Sequence, residues 1–311
     1  HHRRLASMAG PCGPQLFNAL MSTLQITILA DNHVTHRQTL AEHGLACFIT
    51  TGKHRILFDT GQGQVLAHNA QALNCDLSQV DAIVLSHGHY DHTGGLPVAL
   101  AAASKTIDVY LHPAALESKY SVTAGQARDI GLPPAARAAL QQPNIRLHPT
   151  SGPLEIIPGL FQTGEIPRPH PEETATGTFY LDANGKTPDP LWDDQALFFD
   201  TSAGLVVLLG CAHAGVIHTL EYVRQLAHQR PIHAVIGGMH LSRANTAKLA
   251  WVAEQLQRFR PQLLVPAHCT GARGIAALWN AFPDTLRPAG TGATFPFTPQ
   301  PLSLTTEKET P

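Results

Sequence analysis

The chain has 311 residues, 43% of them hydrophobic, which is enough to bury one large core or two modest ones. Charged residues are 14% and the formal net charge is −2, so the basic footprint of a nucleic-acid binder is absent. No apolar run reaches the length of a membrane span.

The five cysteines (Cys12, Cys47, Cys75, Cys211 and Cys269) are odd in number and form no CxxC pair. That spacing argues against a disulfide framework and for a reducing cytoplasm. The 19 histidines raise the expectation of a metal site, because imidazole is the commonest metal ligand.

In chain order, residues 1–20 read as an extension, with His1 and His2 resembling the end of a purification tag and Met21 as the expected start. "LQITILADN" (24–32) alternates and reads as a strand. "GLACFITTGKHRILFDTG" (44–61) reads as a hairpin about a Gly-Lys turn. Helical spacing marks 64–74, a buried strand 80–86, a helix 96–104 with Pro97 in its first turn, and a strand 107–113. Residues 113–190 are proline-rich and irregular, with strands expected near 154–162 and one helix near 134–141. A loop-rich insertion of this length is where a substrate cover would sit.

Order returns with two strands in 195–213, a helix at 215–227, a strand at 232–241, a helix at 245–259, a strand at 262–271 and a helix at 272–282. The pattern predicts two sheets packed together with helices outside, in a single domain over 21–297. Residues 298–311 read as a flexible tail.

One stretch carries the chemistry. "SHGHYDHTGG" (86–95) places His87, His89, Asp91 and His92 within six positions. In extended chain, residues two apart point the same way, so His87 and His89 can face one ion. Asp91 and His92, after the turn, can face a second ion beside it, as in dinuclear sites with a shared water. The N–H groups of Thr93-Gly94-Gly95 are expected to favour an anion nearby. Catalytic ions keep an open position, and further ligands are expected from other strand ends. "GCAHAG" offers Cys211 and His213, "GGMHL" offers His240, and "PAHCTG" offers His268 and Cys269.

"SHGHYDH" followed by glycines resembles the HxHxDH motif of the metallo-β-lactamase superfamily. "LADN", "EHGLACFI", "ILFDTGQG", "TGEIPR", "DDQALFF", "GCAHAGV", "GGMHL" and "PAHCTG" together resemble one branch, named for 7,8-dihydropterin-6-yl-methyl-4-(β-D-ribofuranosyl)aminobenzene 5′-phosphate synthase. The likeness runs from about residue 24 to about residue 292. It implies an αββα sandwich of two mixed β-sheets flanked by helices, with a dinuclear site at the sheet edges. By that resemblance His87 and His89 match first-site ligands, Asp91 and His92 the second-site pair, and His268 the last second-site histidine. The usual third first-site histidine has no clear match, with Glu165, His170, Asp193 and Asp194 as candidates. The usual bridging aspartate falls near Cys211. His213 is the expected replacement and Cys211 the alternative.

The expected activity is that of a dinuclear metal-dependent hydrolase acting on a small phosphorylated or cyclic-ester metabolite. Two divalent ions, zinc first and manganese or iron as alternatives, would bring a shared water to hydroxide near neutrality. Asp91 would orient the nucleophile, and His240 would protonate the leaving group or hold a phosphate. Lys53, Arg168 and Arg243 could contact an anionic substrate, although solvated surface charge explains them better. Asn32 and Glu42 could support the ligating histidines. The alternative activity is the synthase chemistry that the branch name implies. No nucleic acid or membrane partner is expected, and a homodimer is left open.

Overall fold

The computed structural model describes residues 23–173 and 178–304, so the extension expected at 1–20 lies outside the described residues. The first half comprises β1 (Leu24–Ala30), β2 (Ala46–Thr51), β3 (His54–Phe58), α1 (Leu66–Ala72), β4 (Ala82–Val84), α2 (Tyr90–Thr93), α3 (Leu96–Ala102) and β5 (Ile107–Leu111). The insertion holds β6 (Tyr120–Thr123), β7 (Gln126–Asp129), α4 (Pro134–Ala139), β8 (Ile145–Pro149), β9 (Leu154–Ile157), β10 (Leu160–Gln162) and β11 (Phe179–Tyr180). The second half runs β12 (Ala196–Thr201), β13 (Gly204–Leu209), α5 (Val216–Leu226), β14 (Ile232–Gly238), α6 (Thr246–Phe259), β15 (Leu263–Ala267), α7 (Gly271–Ala281), β16 (Thr294–Phe297) and β17 (Pro299–Gln300).

These strands make two large mixed sheets. One has the order β16-β1-β2-β3-β4-β5-β8 and the other β15-β14-β13-β12-β10-β9, with β17 also paired to β12. Alternation along the strands sorts side chains into three cores. Ile26, Ile28, Cys47, Ile49 and Phe58 of the first sheet meet Leu197, Phe199, Val206, Leu208 and Ile236 of the second. On the outer face of the first sheet, Phe48, Leu57 and Ile83 pack against Leu66, Leu96, Leu100 and Ala136 of the helices. On the outer face of the second, Phe198, Val207 and Val235 pack against Leu220, Val223, Val252, Leu256 and Leu278. The result is the αββα sandwich. Each fully buried aliphatic or aromatic side chain in these cores contributes about 1.5–3 kcal/mol.

The insertion is more ordered than its composition predicts. β11, β6 and β7 form a separate three-stranded sheet, and β8 completes the edge of the first large sheet. All four residues of β7 are exposed, so no hydrophobic alternation reveals it in the sequence. The tail expectation also needs correcting at its start. Pro299 and Gln300 pair with Thr201 and Asp200 of β12, and Leu302 and Leu304 pack against the outer core. None of the helices among the described residues is long and apolar enough to cross a membrane.

Candidate metal centre

β4 carries the chain to the centre of the first sheet's edge, and the histidine motif begins three residues later. Gly88 is needed there, because a Cβ would stand 2.3 Å from the Ala115 carbonyl oxygen. Its freed backbone N–H donates to Asp193 Oδ2 at 2.7 Å. His87 and His89 do face one side, with His87 Nε2 3.0 Å from His89 Nδ1. The chain then winds into α2, whose short turn presents Asp91 and His92, both buried.

Here one sequence expectation fails. The N–H groups of Thr93, Gly94 and Gly95 are bonded to the carbonyls of His89, Tyr90 and Gly61. They are consumed by the fold, and α2 has only four residues.

From the second sheet, the loop after β13 carries Cys211 and His213, and the turn after β15 carries His268 and Cys269. Donor atoms of His87, Cys211 and His213 all lie within 4.8 Å of one another, as do those of His92, Cys211 and His268. His89 joins the first group, its ring centroid 4.9 Å from that of His213. Asp91 joins the second, with Oδ2 3.4 Å from His268 Nε2. Cys211 stands between the groups, its Sγ 3.1 Å from His92 Nε2. Cys211 thus belongs to both donor groups, and His213 lies beside His87 and His89. The other first-site candidates point elsewhere. Asp193 binds Lys119 at 2.9 Å, Asp194 accepts from Ala214 N at 2.9 Å, His170 pairs with Glu221 at 2.7 Å, and Glu165 lies 3.9 Å from His112.

Orienting partners fix three of the rings. Asp59 is fully buried and accepts from Ser86 N at 2.7 Å, Ser86 Oγ at 2.6 Å and His92 Nδ1 at 2.7 Å. Since the Ser86 hydroxyl hydrogen goes to Asp59, its oxygen accepts from His87 Nδ1 at 2.9 Å. His268 Nδ1 donates to Asn32 Oδ1 at 2.8 Å. In all three, Nε2 is the atom turned toward the centre, which is the arrangement that prepares a histidine to ligate.

Electrostatics follow from burial. Burial, reinforced by neighbouring histidines, holds His87 and His213 well below the usual imidazole range. It takes His89 down to about 3. Burial also opposes charge on His92, but the Asp59 carboxylate outweighs it and raises that ring to about 9. Asp91 lies well below the carboxylate range despite burial, because His268 and His43 bond to it. Burial pushes the Cys211 thiol up.

Imidazole nitrogens, one carboxylate and one cysteine sulfur suit zinc and related divalent cations. The fit has an independent sign: both ring nitrogens of His213, and Nε2 of His89, are buried without a hydrogen-bond partner. Backbone at Asp59, Ala212, His240 and His268 adopts positive φ (57°, 53°, 46° and 47°). Such strain clusters where surrounding structure over-determines a site.

A cavity of about 700 Å³ opens over both groups, within the range of small-molecule sites. His240 lines it, its ring centroid 4.3 Å from His213. Phe179 of β11 roofs the histidines, its ring centroid 5.5 Å from His89 and 5.3 Å from His213. The β6–β7 hairpin adds Ser121, Gln126 and Arg128 to the wall. Arg243 lines the cavity too, whereas Arg168 borders a neighbouring one. Lys53 sits in the exposed β2–β3 turn. The sequence reading missed His43, whose Nε2 lies 3.2 Å from Asp91 Oδ2. It also missed Asp59 and Phe179. Both "EHGLACFI" and "ILFDTGQG" contained the signal without saying which residue mattered.

Two packed sheets with histidine- and cysteine-bearing loops at one edge define the class of fold. Residues 41–222 match the family model of the metallo-β-lactamase superfamily, and the chain belongs to that superfamily. It is 27% identical over 261 residues to the 7,8-dihydropterin-6-methyl-4-(β-D-ribofuranosyl)-aminobenzene-5′-phosphate synthase of Methanocaldococcus jannaschii, covering 81% of this chain and 89% of that protein. It is 31% identical over 256 residues to the protein MJ0448 of the same organism, covering 81% of this chain and 93% of that protein. Among solved structures, it superposes on Tm1679, described as a metal-dependent hydrolase of the β-lactamase superfamily, with TM-score 0.75 and 27% identity over 88% of this chain and 98% of that one.

Proposed function

We propose that this protein is a hydrolase working with two divalent cations, zinc first, on a small anionic metabolite bearing a phosphoester or a cyclic ester. The observation that carries the reading is the pair of donor groups sharing Cys211 at the floor of one cavity. A cation pair bound there supplies Lewis-acid polarisation and an activated water near neutral pH.

The chain's own residues supply the rest. Asp91, held ionised by His43 and His268, orients the nucleophile. His240, on the cavity wall, delivers a proton to the leaving group. Phe179 shields the floor from bulk water, which strengthens every charge interaction beneath it. Arg128 and Arg243 line the cavity and attract an anionic substrate. The test is turnover of a panel of phosphodiesters, phosphomonoesters and lactones. Activity should vanish on chelation and return with zinc, manganese or iron. Asp91→Ala should lower kcat by about 10²–10⁴-fold. Absence of turnover across the panel by fully metal-loaded protein would overturn the reading.

A second reading is favoured by the match to the M. jannaschii synthase across most of both chains. In it, the same cavity joins a pterin to a phosphoribosyl-aminobenzene partner. Formation of a joined product from pterin precursors, without ester hydrolysis, selects this reading over the first.

A further inference from the structure

We propose that Glu173 is a positioning residue for His213, acting through one buried water held between its carboxyl group and the imidazole. The inference rests on the metal-centre reading above and extends it to the far side of the ligand.

His213 is set apart from the other rings. His87, His92 and His268 each have Nδ1 fixed by Ser86, Asp59 and Asn32. His213 is 2% exposed, yet neither of its nitrogens meets a partner. Only one nitrogen can ligate a given cation. The other, left unpaired in the interior, carries a desolvation penalty of about 1–3 kcal/mol. Ligating histidines almost always settle this with a carboxylate, a carbonyl or a water.

A void of about 10 Å³ lies behind His213, with Glu173, Gly215, His240 and Lys248 among its walls. That is at the lower limit for one water, and a buried water needs two to four polar partners. Glu173 is 2% exposed. Its two oxygens accept from Ile217 N at 2.7 Å and His218 N at 2.8 Å. Each carboxylate oxygen retains a second lone pair for a further donor. Gly215 is what admits the carboxyl group, since a Cβ at that position would stand 2.3 Å from Glu173 Cδ. Gly215 also has φ +109°, where a side chain would be strained. The turn that leads from His213 into α5 is thus built around a carboxyl group from the insertion. In the resulting chain one ring N–H of His213 donates to the water and the water donates to Glu173. The other ring nitrogen keeps its lone pair toward His87 and Cys211.

The rival role for Glu173 is that of an α5 cap alone. Glu173→Gln removes the carboxylate and turns its amide nitrogen toward one α5 N–H, so the cap role is read in the unfolding midpoint and the positioning role in the bound metal. Zinc affinity by chelator competition, the visible spectrum of the cobalt-loaded protein and the unfolding midpoint of the metal-free protein are read together. Zinc affinity should fall about tenfold or more and the cobalt bands should shift. Unchanged affinity and unchanged bands, whatever the unfolding midpoint, would overturn the proposal. A zinc-loaded crystal structure of the unaltered protein provides the second measurement. A water within hydrogen-bonding distance of both His213 and Glu173 is expected there, and a dry void refutes the inference even if the variant does not fold. Should the unaltered protein take up no metal at all, the metal-centre reading fails instead, which is a distinguishable result.

Discussion

Asp59 shows how much of this site is decided by single residues outside the motif. It is fully buried and takes three hydrogen bonds, from the backbone and hydroxyl of Ser86 and from His92 Nδ1. Through Ser86 it also fixes His87. Asp59→Asn keeps the volume but loses one acceptor and the charge, so two ligands lose their orientation together. Metal affinity should fall about 10–100-fold, measured by competition with a chromophoric chelator. Glu173 gives a pH signature at the same scale. Burial raises its carboxyl from 4.5 to about 7, against the opposing pull of two α5 N–H groups, Lys248 and His170. The folded state then binds this proton more tightly than the unfolded chain. Its contribution is fully present below pH 4.5 and is lost as pH rises through about 7, amounting to about 3 kcal/mol. Urea unfolding of the metal-free protein at pH 5 and pH 8 should show this loss, and Glu173→Gln should flatten it. The contiguous candidate ligands His87, His89, Asp91 and His92 were legible in the sequence because four donors crowd one turn. Asp59 and His43 were not, because a single carboxylate or imidazole at a strand end looks the same whether or not the fold brings it to the centre.

At the scale of elements, a buried ion pair ties the insertion to the site. Lys119, just before β6, is 1% exposed and binds both Asp189 and Asp193 at 2.9 Å. Asp193 in turn accepts from Gly88 N, between the first two histidines. Removing one partner of a buried ion network leaves uncompensated charge, a loss of about 3–5 kcal/mol. Lys119→Met should produce a loss of that size in urea unfolding, and it should loosen the turn that carries His87 and His89. A stability change below about 1 kcal/mol would mean that solvent reaches the two aspartates. This link was invisible in the sequence, as were β6, β7 and β11. Those strands are two to four residues long, only half-buried or exposed, and make up a sheet of their own, so neither period nor core burial marks them. The strands and helices of the two large sheets were legible for the opposite reason: buried alternation and amphipathic spacing are imposed by the three cores.

At the scale of the whole molecule, the three cores hold the sandwich together without the hairpin that overhangs the cavity. None of residues 120–129 belongs to a buried core cluster, yet Ser121, Gln126 and Arg128 line the cavity. The base of the hairpin is closed independently, by the Ile130 N–H donating to the Lys119 carbonyl at 2.9 Å. Covering the site and building the fold are therefore tasks of different segments, as is usual where a rigid scaffold carries mobile function. Replacing residues 121–128 with a two-residue turn should leave the unfolding free energy within about 1 kcal/mol, because no buried apolar group is lost. Zinc binding should persist, since no ligand and no orienting partner lies in the hairpin. Substrate recognition should not: loss of Arg128 and of the wall should raise KM and weaken discrimination among anionic substrates, while Phe179, deprived of its β6 partner, no longer shields the floor and kcat falls as well. The measurement is kcat and KM across the ester panel, alongside calorimetric zinc titration. Unchanged kinetics with intact zinc binding would show that the hairpin is only an ornament of the fold, and that the substrate is held by the sheet-edge loops alone.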